Sequence, residues 1–389
     1  MGVGASLKPY MKKILLVIPW SPLHPAGVSI VVRNLFEQYK QAGIDVMLCE
    51  DNWKHTSPML DEGGWILFRL GIYGGSKFVA LLKSLIVAPL RLCKLAFWLR
   101  GNSISAVNFH YVGTSSVSVA ILKKMGVFRG NIVLSFHGTD VDAPKNGVER
   151  LIYKFMLANA DTLTFCSKSL LQKAQTVFGY VHRDARVMYN GVDLAVFRPG
   201  LAAFPALPLR YFVQVGTFIP RKRQAFLVDV FSRLSSSYPD LNLVLIGMEG
   251  PELESVRNAS ARYGLEGRVH VLIGLEPSQV AAALSNAVLC VQPSINEPFG
   301  IAAIEAGACG TPVVASRVEG HLETIEHDRT GLLFNADDIE DCCLNIRRTL
   351  DNDSFAREIA MRFRQSVSER FTWASCARAY LETCAPQLR

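Results

Sequence analysis

PSINEPFGIAAIEAGACGTPVVAS, residues 293–316, reads as a strand end, a turn, a helix and a second strand. VLCVQPS is an apolar run of strand length, GIAAIEAGACG has helical spacing, and PVVAS returns to a strand. Glu297 and Glu305 lie on either side of Phe299-Gly300-Ile301 at the expected helix start. Backbone N–H groups at such a start face outward and favour a polyoxygenated or anionic ligand. Gly300 lets the main chain approach closely. Two carboxylates beside that turn can accept hydrogen bonds from sugar hydroxyls, and one can grip a ribose diol. On spacing alone the first reading is plainer: two surface glutamates on a polar helix face, with Glu297 serving the helix dipole.

Working outward, the same alternation fills the C-terminal half. YFVQVGTF, LNLVLIGMEG and VHVLIG read as strands, separated by the helical stretches QAFLVDVFSRLSSSY and ELESVRNASARYG. PSQVAAALSNA is a further helix, TGLLF a short strand, and a last helix from Phe355 to Glu369 leads into FTWASCARAYLETC. FRPGLAAFPALPLR, within residues 197–210, has the proline content of a linker. Before it, KKILLVIPW, IDVMLCE, SAVNFHYV, NIVLSFHG and ADTLTFCS read as strands, with a helix over VSIVVRNLFEQYKQAG. Strands alternating with helices imply parallel sheets covered on both faces. Ligands then bind beyond the C-terminal ends of strands, where Pro25-Ala26-Gly27, His110 and His137 fall.

Composition sets the class. The chain has 389 residues, 50% hydrophobic and 19% charged, enough for two or three packed domains and too apolar for disorder. A net charge of +7 suits anionic ligands or an acidic membrane surface. No Lys/Arg-rich run with interleaved aromatics appears, so nucleic acid is not an expected partner. The nine cysteines form no Cys-x-x-Cys pair and several sit in apolar runs, which predicts buried thiols in a reducing compartment. MGVGASLKPY lacks the apolar core of a signal peptide, and Met11 is an alternative start; the expected location is cytoplasmic.

Residues 77–100, KFVALLKSLIVAPLRLCKLAFWLR, stand apart. Their cations and Pro89 argue against a spanning helix. On a helical wheel Lys83, Ser84, Arg91 and Lys94 oppose Phe78, Leu82, Leu85 and Ile86. Two readings stay open: a peripheral helix lying on acidic lipid at the inner face of the plasma membrane, or a helix covering the first sheet with solvated cations. Pro89 interrupts the periodicity in either case.

Several motifs occur in one order over residues 11–382, and together they resemble the retaining GT-B glycosyltransferases with a Glu-x7-Glu element (group 1, family 4-like). PSINEPFGIAAIEAG is similar to that element, PAGVS to the glycine-rich first loop and FHGTD to the strand-end histidine loop. VMYNGVDLAVFRP resembles the exit to the linker, VGTFIPRKR the pyrophosphate loop, and FTWASCARAY the terminal helix. The resemblance implies two Rossmann-like α/β domains facing across a cleft. Residues 11–200 would bind the acceptor, with the C-terminal helix 371–389 crossing back onto them, and residues 205–370 the nucleotide-sugar.

It also implies roles. Glu297 would contact donor-sugar hydroxyls beside the amides of Phe299, Gly300 and Ile301, and Glu305 would bind the ribose. Lys222, helped by Arg221, would neutralise the pyrophosphate; His137 would lie against the donor sugar; Gly27 would approach the phosphates or the acceptor. Thr217 stands where the family carries arginine, and Ala26 replaces the first glycine of the usual pair. Fixed cations on a strand-to-helix loop stabilise a departing diphosphate best where water is excluded. Taken alone, RKR is equally a solvated turn, and His137 a hydrogen-bonded structural histidine.

Asp140-Val141-Asp142 spells the Asp-x-Asp of metal-dependent transferases of another fold, but no third oxygen ligand accompanies it, so neither metal nor other cofactor is expected. The implied reaction is hexose transfer with retention, onto a lipid-linked or surface-polysaccharide acceptor. A sugar-nucleotide epimerase of the same fold and a catalytically silent sugar-nucleotide-binding subunit are the rival readings.

Overall fold

The computed structural model describes residues 13–24, 27–71, 78–142, 147–179 and 182–385, without the side chains of 78–85. The chain divides into two compact units, Met1–Met188 with Cys376–Arg389, and Tyr189–Ser375.

In the first unit the elements run β1 (Lys13–Ile18), α1 (Gly27–Gln41), β2 (Val46–Glu50), β3 (Met59–Leu60), β4 (Ile66–Leu67), α2 (Phe78–Gly101) and β5 (Ile104–His110). There follow α3 (Val117–Lys124), β6 (Asn131–Phe136), α4 (Gly147–Asn159), β7 (Thr162–Phe165), α5 (Lys168–Phe178) and β8 (Ala185–Val187). The sheet order is β3-β4-β2-β1-β5-β6-β7-β8, and only the β3–β4 pair is antiparallel. Ile14–Ile18 and Ile132–Leu134 are buried, as continuous apolar strands covered on two faces must be. The order reverses between β1 and β5, which makes a crevice at their C-terminal ends.

The second unit contains β9 (Tyr211–Val215), α6 (Gln224–Leu234), β10 (Asn242–Gly247), α7 (Glu252–Arg262), β11 (Val269–Ile273), α8 (Pro277–Asn286) and β12 (Leu289–Gln292). It continues with α9 (Ile301–Ala308), β13 (Val313–Ser316), α10 (Glu319–Thr324), β14 (Leu332–Phe334), α11 (Ile339–Leu350) and α12 (Asp353–Arg370). Its sheet is parallel throughout, in the order β11-β10-β9-β12-β13-β14. That is the doubly wound nucleotide-binding order, with its switch point between β9 and β12. Phe212, Phe231, Leu243, Leu245 and Phe334 centre the core beneath it. A last helix, α13 (Trp373–Cys384), returns the chain to the first unit.

The division falls earlier than the linker composition suggested. Residues 189–200 and 371–375 belong to the second unit. Val192 N–H donates to Phe371 O at 2.9 Å, and the Tyr189 ring meets Phe371 edge-on at 5.6 Å. A Cβ at Gly191 would lie 2.4 Å from Trp373 N, so the two strands of chain touch backbone to backbone.

The helices add to the sequence pattern in two places. α2 runs unbroken through Pro89, although proline removes one i→i−4 hydrogen bond. Beyond residue 85, Ile86, Leu90 and Phe97 are exposed, while Leu95 and Leu99 are buried. Residues 339–350, unassigned from the sequence, form α11, whose Asp338 side chain caps the N-terminus by accepting from Asp341 N–H.

Candidate active site

The loops leaving β9 and β12 flank the switch point of the second unit. The first carries Arg221 and Lys222; the second carries Glu297. Lys222 Nζ and Glu297 Oε2 form a hydrogen-bonded ion pair. Burial acts to raise the Glu297 carboxyl, but Lys222, His321 and Arg221 outweigh it and hold the group well below the usual carboxylate range. Ser294 Oγ donates a longer bond to the same oxygen, at 3.4 Å.

Backbone contacts fix both loops. Arg221 Nη1 donates to Asn296 O at 3.1 Å, and Ile295 N–H donates to Arg221 O at 3.0 Å. Arg221 therefore ties its own loop to the Glu297 loop while its guanidinium keeps its charge beside the glutamate. Gln214 Nε2 anchors the Lys222 carbonyl at 2.7 Å. Gly320 backs the glutamate from behind: its N–H donates to Glu297 O, and a Cβ there would stand 2.5 Å from that oxygen.

Gly300 is the N-cap of α9 and adopts φ 95°, a left-handed conformation that favours glycine. A Cβ on it would come within 2.9 Å of His321 Cδ2, so the turn also needs the missing side chain for space. Phe299 is buried against Tyr189 and Phe371 and contributes only backbone to this surface. Ile301 opens α9, and Glu305 follows one turn later. The Glu305 carboxyl has no hydrogen-bond partner among the described residues. Burial pushes its carboxyl up to about 8, against the opposing pull of Lys222. His321, which the sequence reading passed over, is buried and bonds Ser316 O through Nδ1 at 3.0 Å.

In the first unit, Gly27 starts α1 and is exposed, while Pro25 and Ala26 lie outside the described residues. His110 ends β5 and His137 follows β6; their rings stack, with His110 Nδ1 and His137 Nε2 at 3.0 Å. Burial pushes His137 down to about 4. Trp20 and Tyr111, also unassigned from the sequence, pack edge-on at 4.7 Å at these strand ends. Tyr111 holds φ 58°, a strained value of the kind that gathers at functional sites.

Asp140 and Asp142 diverge. Asp140 is buried and accepts from the backbone N–H groups of His137, Gly138 and Val112. Burial lifts its carboxyl to about 6, against those hydrogen bonds. Asp142 pairs with Lys173 at 2.7 Å. The Asp-x-Asp spelling is thus a capped turn plus a surface ion pair.

Two Rossmann-like units, each with polar groups at its switch point, define the GT-B class of sugar-transfer enzymes. Residues 205–367 match the family model for glycosyl transferases group 1, and residues 25–196 that for glycosyltransferase family 4; the chain belongs to the group 1 GT-B glycosyltransferases. An uncharacterized glycosyltransferase of Methanocaldococcus jannaschii is 26% identical, over 94% of this chain and 95% of its own. N-acetyl-alpha-D-glucosaminyl L-malate synthase of Bacillus anthracis is 26% identical, over 72% of this chain and 74% of its own. Among solved structures, sucrose-phosphate synthase of Thermosynechococcus elongatus superposes with a TM-score of 0.74 at 24% identity, covering 95% of this chain and 97% of that one. HepE of Anabaena, solved with UDP and glucose, gives 0.73 at 18% identity, covering 96% and 100%.

Proposed function

We propose that this chain is a retaining hexosyltransferase that takes its sugar from a nucleoside diphosphate. The observation that carries the reading is the buried Lys222–Glu297 pair beside Glu305, a carboxyl with no hydrogen-bond partner among the described residues. Lys222 would meet the pyrophosphate, Glu297 the sugar hydroxyls beside the amides of Phe299, Gly300 and Ile301, and Glu305 the ribose diol. His137 would donate to the sugar from the first unit, and Gly27 would border the phosphates or the acceptor. A cation held in a water-poor pocket stabilises the charge that develops on the leaving phosphate. The reaction needs no metal in this reading: activity should persist in excess chelator, and complete loss restored by magnesium or manganese would overturn that point.

A thermal-shift panel of UDP-, GDP- and ADP-sugars tests the donor, since a ligand at a hundred times its Kd stabilises by about 2.7 kcal/mol. Proton NMR of the product then reads the anomeric configuration. Inversion would sink the retaining mechanism, epimerised donor without acceptor would favour the isomerase, and no shift with any donor would remove the donor assignment.

The acceptor we propose is lipid-linked or a surface-polysaccharide intermediate of envelope glycan synthesis, met at the cytoplasmic face of the membrane. Support comes from α2, where exposed Ile86, Leu90 and Phe97 share one helix face flanked by Lys94 and Arg100. Among the described residues no helix is long and apolar enough to cross a membrane. Acidic lipid is accordingly a peripheral partner in this reading.

A further inference from the structure

β5 and β6 pair in parallel with His110 opposite Ser135, which brings the side chain of His110 beside that of His137 two residues further along. Ring centroids lie 5.2 Å apart with 26° between the planes, and Nδ1 of His110 is 3.0 Å from Nε2 of His137. Two imidazole nitrogens at that distance must share one proton, because two lone pairs repel and two N–H groups clash. The open question is which ring carries it.

Burial answers that question. His110 is 1% exposed, and its Nε2 meets no hydrogen-bonding partner among the described residues. An orphaned N–H in the interior is rarer than an orphaned acceptor. A proton on His110 Nε2 would create such an orphan, so the ring carries it on Nδ1 and donates to His137 Nε2. Neutral His137 then keeps its own proton on Nδ1. That atom has no partner among the described residues, and the ring is only half-buried. Asp140 Oδ1 meanwhile fixes the main chain beneath it, accepting from His137 N–H at 3.0 Å.

We propose that His110 is a positioning residue that locks His137 in the Nδ1–H tautomer, so that His137 offers a hydrogen-bond donor to an oxygen of the bound sugar. The inference rests on the transferase reading for what His137 touches, though not for the tautomer. It excludes His137 as a base, since its one lone pair is engaged by His110. Adding a proton to His137 would set N–H against N–H. Burial lowers both rings, in keeping with a pair that stays neutral.

The experiment is long-range proton–nitrogen correlation NMR on full-length protein with labelled histidine, near neutral pH. The expected spectrum has His137 protonated at Nδ1 with Nε2 bare. His110→Phe should return His137 to the Nε2–H form and lower turnover about tenfold or more, the size of one lost hydrogen bond, without changing affinity for free nucleotide. His110→Asn, whose amide nitrogen occupies the place of Nδ1, should restore both tautomer and rate. An Nε2–H His137 in the parent would overturn the proposal, as would a His110→Phe variant that keeps tautomer and turnover alike. Should that variant misfold, the parent spectrum alone decides. Failure of every sugar nucleotide to bind would instead overturn the transferase reading and leave the tautomer result standing.

Discussion

Lys222 and Glu297, 75 residues apart, meet as an ion pair whose side chains are only 12% and 11% exposed. The two groups expected to divide the donor between them thus hold each other. Removing one partner leaves the other charged and buried without compensation.

Lys222→Met should therefore cost stability as well as turnover, by about 3 kcal/mol in urea denaturation. The double variant Lys222→Met, Glu297→Leu should recover most of that stability while staying inactive, because it removes both charges together. A single variant as stable as the parent would show that the pair is not maintained in solution.

Glu305 sets a pH dependence. Burial keeps its carboxyl protonated up to about 8, against 4.5 for the free side chain. Between those values the folded state binds more protons than the unfolded chain, so this group's contribution to stability falls as pH rises. Glu305→Gln removes the loss, and its Tm advantage over the parent should grow across that window. A ribose diol donates to a carboxylate, so nucleotide affinity of the parent should strengthen as pH climbs through about 8. Calorimetry giving a Kd independent of pH would take Glu305 out of the ribose role.

Gly300→Ala should lose about 1–2 kcal/mol from the left-handed backbone alone, and more from the approach of His321 to the new Cβ. Turnover should fall further than stability, because the amides at the head of α9 must shift to relieve the contact. His321→Ala in the same chain relieves the contact but not the backbone cost, so it should restore only part of the loss. Full recovery in the double variant would show that φ carries no cost here.

The doubly wound architecture was legible because apolar runs such as Ile14–Ile18 and Leu243–Ile246 are buried on both faces, and a buried parallel strand leaves that signature. Helix α11 was not: IEDCCLNIRRTL interleaves charge with two cysteines, and only the packing of Cys342, Cys343 and Ile346 reveals its inner face. Glu297, Glu305 and Lys222 could be named from motif order. Their pairing could not, because it depends on β9 and β12 being neighbours across a switch point. The His110–His137 contact was hidden for the same reason, being a product of strand register. The bond from Arg221 to the Asn296 carbonyl was hidden in the same way, since it joins two loops 75 residues apart in the chain.

The outer face of α2 carries the last prediction. Ile86, Leu90 and Phe97 are 80%, 75% and 78% exposed, too much apolar surface on one helix face for the helix to serve the sheet alone. Lys94 and Arg100 flank that face; Lys94 Nζ also contacts Ser57 Oγ at 2.6 Å and stays exposed. Under the peripheral reading proposed above, such a helix would lie in a bilayer interface, apolar side down, with cations among acidic headgroups. The protein should sediment with vesicles containing phosphatidylglycerol and only weakly with phosphatidylcholine alone. Raising salt should weaken the first binding without abolishing it, since screening over a Debye length of about 8 Å removes the charge contribution and leaves the apolar one. Ile86→Ser, Leu90→Ser and Phe97→Ser together should abolish vesicle binding at every salt concentration. They should leave the Tm unchanged and transfer to a water-soluble acceptor intact, because none of the three packs against the sheet. If the parent stays in the supernatant with both vesicle types, the exposed face does not bind lipid, and the acceptor must be sought among water-soluble glycans.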